Sequence, residues 1–536
     1  MPEGAIQRMK PLLMHRDRDF DPHNSLRRAM YGYPDAEPFH LSSHQQALIH
    51  DLELNILFQA MARDDNFLSE VAQRAILSGL ENNTDTIRYR QAALKDCLNN
   101  REVVQKLYVL TAEATVGTRT LQWTSSTYEY LTSLHYYAID LLELLLPKLR
   151  SLRIIADESS ESFTSEAFRA FFAMLREELG DEYLATIGMH LSELRFRKGI
   201  LLSAALNEHN EGTNYTVRRR TGNELKWFDR LLGKTPPALL VYVAEGDVVG
   251  AEVLAEMRRQ GIGKVALVLA ESAEHVLRFF EMLRTELGFY LACSNLYDQL
   301  AGPGPAICFP EPAEAGQREY RFRGLRDLCL VLQTKQVVVA NNANMTGKDL
   351  VLITGANQGG KSTFLRSLGV SQLMMQVGMF VAAEEFVAEL CTAIFTHYKR
   401  EEDASLERGK FDDELARLSR IADHVVPNAM VLFNESFAAT NEREGSAIAE
   451  QIVSAFLEKR IKVIYVTHLF TFAHAMWEKR SEWAFFLRAE RAPDGSRTFK
   501  MSEGEPLETS YGVDLYRRMF GADEKKLNDT EAGADF

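Results

Sequence analysis

The sequence is short of the residues on which several protein classes depend. Its 536 residues include only 5 cysteines (Cys97, Cys293, Cys308, Cys329 and Cys391), and no two of them form a C-x-x-C pair. An odd, scattered set suits a reducing compartment better than a disulfide framework. No run approaches the roughly 20 apolar residues that a membrane-spanning helix requires. Met1 to Arg18 is charged and lacks the apolar centre of a secretory signal. Basic excess is also missing, since 61 Lys and Arg stand against 75 Asp and Glu, a net charge of −14. That balance weighs against a wholly electrostatic nucleic-acid binder, although a local basic face can act within an acidic chain. No repeat of 20–50 residues is visible. These absences lead to the expectation of a cytoplasmic protein with no membrane partner.

What is present is enough apolar side chain, 46% of residues, to build large cores. Residues 1–38 are polar, rich in Arg, Pro and Asp, and are expected to form an extension with little structure of its own. Residues 39–300 read as long helices. Leu54, Leu57, Phe58 and Met61 recur at helical spacing, as do Val276, Phe280, Leu283 and Leu287. Within that region residues 238–270 read in two ways. The β-like runs Ala238 to Val243 and Lys264 to Leu269 could flank a helix as a small α/β element, or the path could be continuously helical. After Gly302-Pro303-Gly304-Pro305 short strands alternate with helices: Val337 to Ala340, Leu350 to Thr354, Ala393 to His397, Met430 to Phe433, Val463 to Thr467 and Trp483 to Leu487. Alternation of this kind predicts an α/β nucleotide-binding domain over residues 301–522. The polar residues 523–536 are expected to be a disordered tail.

The most informative segment is Gly355-Ala356-Asn357-Gln358-Gly359-Gly360-Lys361-Ser362-Thr363, directly after the apolar run Leu350 to Ile353. It fits G-x-x-x-x-G-K-[ST] between a strand and a helix, the setting in which that pattern binds phosphate. Backbone N–H groups of such a turn gather around an anion, and the helix N-terminus favours negative charge. Lys361 is then placed for the β- and γ-phosphates and the Ser362 hydroxyl for Mg²⁺. The chain is therefore expected to bind a nucleoside triphosphate.

A second apolar strand ends in Asn434-Glu435, where a carboxylate can orient or deprotonate the attacking water. Asn434 stands where an Asp is usual; its carbonyl oxygen has the same shape without the charge, so metal affinity should fall. A third strand closes in Thr467-His468, and His468 can contact or sense the γ-phosphate.

These segments together resemble the MutS family of mismatch-repair ATPases, whose nucleotide domain is of the ABC class. The likeness is carried by Asn357 to Thr363 with Leu365-Arg366, by Thr467-His468, and by Ser510-Tyr511-Gly512-Val513. It extends more weakly to Ile87 to Gln91, to Leu287 to Cys293, and to Cys308-Phe309-Pro310-Glu311. The resemblance implies a mostly helical core and lever followed by an ABC-type P-loop ATPase domain, an α plus α/β architecture. It implies ATP and Mg²⁺ as ligands, with Gly355, Asn357, Gly359, Gly360, Lys361, Ser362 and Thr363 around the phosphates. Ser362 and Asn434 fall at the metal, and Lys361, Glu435 and His468 at the chemistry. It also implies a homodimer through the ATPase domains and DNA as a partner, recognised by structure more than by sequence.

The sequence departs from the family in four places. Asn434-Glu435 replaces Asp-Glu. The serine of the family's signature falls at Lys410, within Gly409-Lys410-Phe411-Asp412-Asp413-Glu414. Lys410 is then either a sensor of the partner's γ-phosphate or a solvated loop charge. The adenine-stacking aromatic has no counterpart near Val338 to Asn341. Residues 1–40 leave no room for a mismatch-reading domain, and Phe279-Phe280-Glu281 sits in a packed helical stripe. Arg218-Arg219-Arg220, near Lys226 and Trp227, forms the best basic patch, read as a phosphate grip or as a solvated loop. The function expected is ATP-dependent DNA binding in repair or recombination, on mismatched or branched DNA. The competing expectation is a slow ATP-switched scaffold that does not act on nucleic acid.

Overall fold

The computed structural model describes residues 9–18, 20, 41–78, 80–117, 130–197, 199–209, 212–218, 247–301, 304–334, 336–400, 409–479, 481–492 and 496–507. Among the described residues eight α-helices come first: α1 (Ser43–Asp51), α2 (Leu54–Ala62), α3 (Asn66–Ser78), α4 (Thr84–Asn99), α5 (Arg101–Gly117), α6 (Tyr130–Ser159), α7 (Glu166–Glu178) and α8 (Asp181–Leu194). Several of their starts carry oxygen caps. Ser42 closes a capping box with Gln45, Asn83 accepts from Asp85 and Thr86, and Ser165 accepts from Phe168. A hairpin follows, β1 (Leu202–Leu206) paired antiparallel with β2 (Gly212–Val217). Then comes α9 (Val248–Leu300), 53 residues long.

Helix α9 corrects the expectation of an α/β element at 238–270. Lys264 to Leu269 lies inside it as helix, while Ala238 to Val243 lies outside the described residues. The burial pattern explains why. Ile262, Ala266, Ala273, Leu277 and Phe280 are buried at helical spacing, while Leu267 and Val268 inside the same apolar run face outward. The hairpin β1–β2 was not anticipated; its residues alternate too weakly in polarity to signal strands.

The opening residues also differ from expectation. Far from lacking structure, residues 9–18 pack into the helical region, with Leu13 and Met14 fully buried. The Leu13 N–H donates to Glu286 Oε2 at 2.6 Å, and Tyr290 donates to Leu13 O at 2.7 Å. Tyr89 donates to Leu12 O at 2.7 Å, and the fully buried Arg90 donates to Met14 O at 3.0 Å. A polar composition did not reveal this because the partners are helix side chains far along the chain.

The second half holds β3 (Glu311–Ala313), β4 (Tyr320–Leu325), α10 (Leu328–Gln333), β5 (Asn341–Asn344), β6 (Leu350–Thr354), α11 (Lys361–Gln376), β7 (Glu385–Glu389), β8 (Ile394–Tyr398), α12 (Lys410–His424), β9 (Met430–Asn434), α13 (Glu442–Glu458), β10 (Lys462–Val466), α14 (Phe470–Glu478), β11 (Ala484–Arg491) and β12 (Arg497–Glu503). A six-stranded sheet runs β12-β11-β6-β10-β9-β8, parallel except for the β11–β12 pair. A four-stranded sheet runs β3-β7-β4-β5. The strand expected at Val337 to Ala340 forms later, at Asn341–Asn344, where it pairs with β4.

Strands β6, β9 and β10 are buried on both faces, as parallel strands covered by helices must be. Val351, Ile353, Met430, Leu432, Ile464 and Val466 face a core continuous with the helical region. Leu350, Leu352, Val431, Phe433, Val463 and Tyr465 face a separate core with α12 to α14. Among the described residues no helix is long and apolar enough to cross a membrane.

Candidate functional site

The carboxyl ends of β6, β9 and β10 lie side by side, which is where open parallel sheets place ligands. At the end of β6 the chain turns at Gly355, whose φ is +117°. A side chain there would place its Cβ 2.9 Å from Ala489 N, so only glycine fits. Gly360 (φ +89°) delivers the chain into α11. Ala356 to Gly359 thus form a tight loop over the N-terminus of a 16-residue helix. Asn357 and Ser362 are exposed on the loop, Gly359 is buried, and Thr363 is half-buried.

Lys361, the first residue of α11, folds back across the loop. Its Nζ donates to Gly355 O and Ala356 O, each at 2.9 Å. Burial lowers the ammonium pKa to about 8, with the Glu435 carboxylate pulling the other way. A phosphate in the loop would offer anionic oxygens in place of two neutral carbonyls and would hold the charge on the lysine.

Ser362, one turn-position later, donates from Oγ to Asn434 Oδ1 at 3.0 Å. Both are neutral oxygen donors of the kind a hard divalent cation accepts. The described residues contain no cluster of three or more His, Cys, Asp or Glu that could cage a metal by themselves. The donor set therefore fits Mg²⁺ only where phosphate oxygens supply the negative charge, the usual way that ion is held.

Glu435 sits directly after β9 with φ +54°, and its N–H donates to Val466 O at 2.8 Å. Its Oε1 lies 2.8 Å from His468 Nε2. The hydrogen bond from His468 holds the Glu435 carboxyl below the usual range against the opposing effect of burial, helped by Lys361 and Lys399. His468 is aimed by Thr467, whose N–H donates to Ile353 O at 3.0 Å and whose Oγ1 accepts from Leu469 N at 3.0 Å. The result is an ionised carboxylate, a histidine, a buried lysine and a Ser–Asn pair around one glycine loop.

Comparison with known proteins agrees with this arrangement from both halves of the chain. Residues 82–302 match the family described as the MutS2 N-terminal domain, and residues 351–528 match MutS domain V. The chain belongs to the MutS family. It is 35% identical over 140 residues to the DNA mismatch repair protein MutS of Thermus aquaticus, covering 26% of this chain and 17% of that one. It is 32% identical over 173 residues to MutS of Streptococcus equi subsp. equi, covering 31% and 20% respectively. With the human MutS protein homolog 4 it shares 26% identity over 183 residues, 33% of this chain and 20% of the relative. The likeness thus spans about a fifth of the length of these curated relatives.

The structure of this MutS-family chain brings together Gly355 to Thr363, Asn434, Glu435 and His468, as the motifs anticipated. Other expected residues lie elsewhere. Lys410 is the first residue of α12, and the segment just before Gly409 lies outside the described residues. Arg218 follows β2, away from the phosphate loop, and donates to Ser203 Oγ at 2.9 Å. Arg219, Arg220 and Ser510 to Val513 fall outside the described residues, as does the 523–536 tail.

Two residues beside the loop went unanticipated. Arg497 donates to Gln358 Oε1 at 2.6 Å, bracing the loop's tip. Phe499, half-exposed at 46% and with φ +58°, lies 3.4 Å from where a Cβ on Gly360 would sit. Asn341 fixes this edge, accepting from Met501 N at 2.8 Å. The signal was available, because Asp494-Gly495 between two strand-like runs is a hairpin sequence.

Proposed function

We propose that this MutS-family chain binds and hydrolyses ATP with Mg²⁺, and that a nucleotide-dependent homodimer couples this to DNA binding in repair or recombination. The observation that carries the reading is the pair of contacts on either side of the loop: Ser362 with Asn434, and Glu435 with His468. The loop N–H groups and Lys361 bind the phosphates. Ser362 and Asn434 would hold the ion, which would supply positive charge to neutralise the phosphates. Glu435, kept ionised by His468, orients water for in-line attack on the γ-phosphorus. Phe499 offers an aromatic face for the base, a contact that the region near Val338 to Asn341 does not supply. Residues 301–522 act as the ATPase unit and residues 39–300 as the helical core and lever. Lys410 meets the partner's γ-phosphate, and closure of the dimer changes the grip of the helical arms on mismatched or branched DNA. Two of the relatives are named DNA mismatch repair proteins, which supports DNA as the partner.

A specific observation favours a second reading, a slow ATP-switched scaffold. Asn434 is neutral where the pairing with Ser362 would gain from charge. Steady-state hydrolysis and a DNA-binding panel test both readings. Lys361→Ala is expected to lower kcat/KM by roughly 100-fold or more, the scale of losing a charge-stabilising donor. Asn434→Asp raising turnover strongly would favour the throttled switch. Failure to bind mismatched, branched or perfect duplex at low salt, with or without ATP, would end the DNA reading.

A further inference from the structure

Glu435 belongs to a backbone turn that is unfavourable by itself. Both Glu435 (φ +54°) and Phe437 (φ +63°) adopt the left-handed region without being glycine. Such a turn persists only where its surroundings over-determine it. Four residues, Val466, Tyr465, His397 and Glu414, do so. The Glu435 N–H is held by Val466 O at 2.8 Å. Tyr465 donates to Ser436 O at 2.8 Å. The Ser436 hydroxyl lies 2.7 Å from both His397 O and His397 Nδ1. The Phe437 N–H donates to Glu414 Oε1 at 3.3 Å.

The first three holders lie in the sheet itself, on β10 and β8. Glu414 does not: it is the fifth residue of α12, buried to 5% exposure. Its backbone carbonyl also receives His397 Nε2 at 3.1 Å, so α12 is tied to the turn both directly and through β8. The second carboxylate oxygen, Oε2, has no hydrogen-bond partner among the described residues. Burial outweighs the Phe437 hydrogen bond and the charges of Arg417 and Lys399 and raises the Glu414 carboxyl pKa, whereas an apolar side chain of the same shape would avoid the desolvation. Helix α12 opens at Lys410, one of whose two readings above is a sensor of the partner's γ-phosphate.

We propose that Glu414 is a positioning residue that couples α12 to the aim of Glu435, so that engagement of the α12 N-terminus by a second copy sets the water-orienting carboxylate in its own subunit. The coupling rests on the proposed ATPase reading and adds the route by which dimerisation reaches the chemistry. A shift of α12 along its axis carries the acceptor of the Phe437 N–H with it.

The test compares Glu414→Gln with Glu414→Met in the full chain. Both substitutes match the side chain in length, but only glutamine keeps an acceptor for Phe437. ATP turnover per subunit is measured across protein concentrations that span dimer formation, alongside nucleotide affinity with a fluorescent ATP analogue. Glu414→Gln is expected to stay within about threefold of wild type and to keep the rise in kcat on dimerisation. Glu414→Met is expected to lower kcat about tenfold or more, to leave nucleotide affinity within about threefold, and to lose that rise. Magnitudes of this order follow from mis-aiming a catalytic group. Equal kcat in the two variants, or an undiminished rise in Glu414→Met, overturns the coupling while leaving the ATPase reading intact. A wild type that turns over no ATP at any concentration overturns both.

Discussion

Helices α11 and α12 cover opposite faces of one sheet and are built on opposite terms. Helix α11, which opens at the glycine loop, is buried nearly all round: Phe364 to Gln376 are all buried, including Arg366, Ser367, Ser371, Gln372 and Gln376. Helix α12 buries a single stripe, Glu414, Arg417 and Leu418, and leaves Asp412, Leu415, Ser419 and Arg420 exposed. A helix enclosed on every side cannot move without repacking its neighbours; one packed along a stripe can shift or tilt at small cost. The polar residues of α11 are therefore structural. Arg366 pairs with Asp327 at 2.7 Å, and Gln376 binds Glu81 O at 3.1 Å and Cys391 O at 2.8 Å. The helical region approaches closely at two points: a Cβ on Gly369 would meet Leu52 at 3.0 Å, and one on Gly378, just past the end of α11, would meet Arg90 at 2.5 Å. The glycine loop is thus mounted on a helix sunk into the helical half, while the opposite face carries a helix packed along one stripe.

The largest break in that contrast is expected at the buried end of α11. Gln376→Leu removes the acceptor of Cys391 N (2.9 Å) and the donor to Glu81 O and Cys391 O, leaving three buried backbone groups unpaired. A loss of about 3 kcal/mol or more is expected from unsatisfied groups of this kind. Urea unfolding reads it as a fall in midpoint with the slope retained. A loss under about 1 kcal/mol would show that α11 is not rigidly anchored.

A smaller, pH-dependent break is expected where the opening segment caps the same junction. Arg90 NH2 donates to His15 Nε2 at 2.8 Å and to Glu81 Oε1 at 2.8 Å, and Glu81 in turn meets Gln376. Burial, then the charges of Arg90 and Arg18, lower the His15 pKa to about 3 from 6.5. Because the folded value lies below the unfolded one, the unfolded chain binds more protons between those values. The contribution of His15 is therefore complete above about pH 6.5 and declines as pH falls towards about 3. Unfolding midpoints measured at pH 7 and pH 5 are expected to fall less in His15→Gln than in wild type, since glutamine accepts from Arg90 without titrating. Parallel slopes in the two proteins would show that the strap opens independently of its histidine.

The same contrast explains what could be read from the sequence. That Gly355 to Thr363, Asn434, Glu435 and His468 lie together was legible because each follows an apolar run that forms a neighbouring strand of one parallel sheet. Helix α9 was legible only in part, since Lys264 to Leu269 has the composition of a strand and its helical burial is decided by the residues around it. Residues 9–18 were not legible, because Leu13 and Met14 are buried by Glu286, Tyr290 and Arg90, 75 or more positions away. Local composition carries no trace of such contacts. Glu414 stood in plain view as part of a motif, but its bond to Phe437 depends on where the strands place the turn.

The smallest expected effect lies on the outer face of α12. Leu415 is 36% exposed, one residue beyond Glu414 and on the side away from the sheet. If the helix is held by a single stripe, Leu415→Ala should change folding stability by no more than about 0.5 kcal/mol, the usual range for surface substitutions. The mutation removes apolar surface that water already reaches, so little transfer free energy is lost. Urea unfolding under conditions that keep the chain monomeric checks it. A cost above 1 kcal/mol would mean that the outer face is packed after all, and that α12 is as fixed as α11. It would then be unable to carry movement to the Glu435 turn, because both faces of the sheet would be locked by the same kind of enclosure.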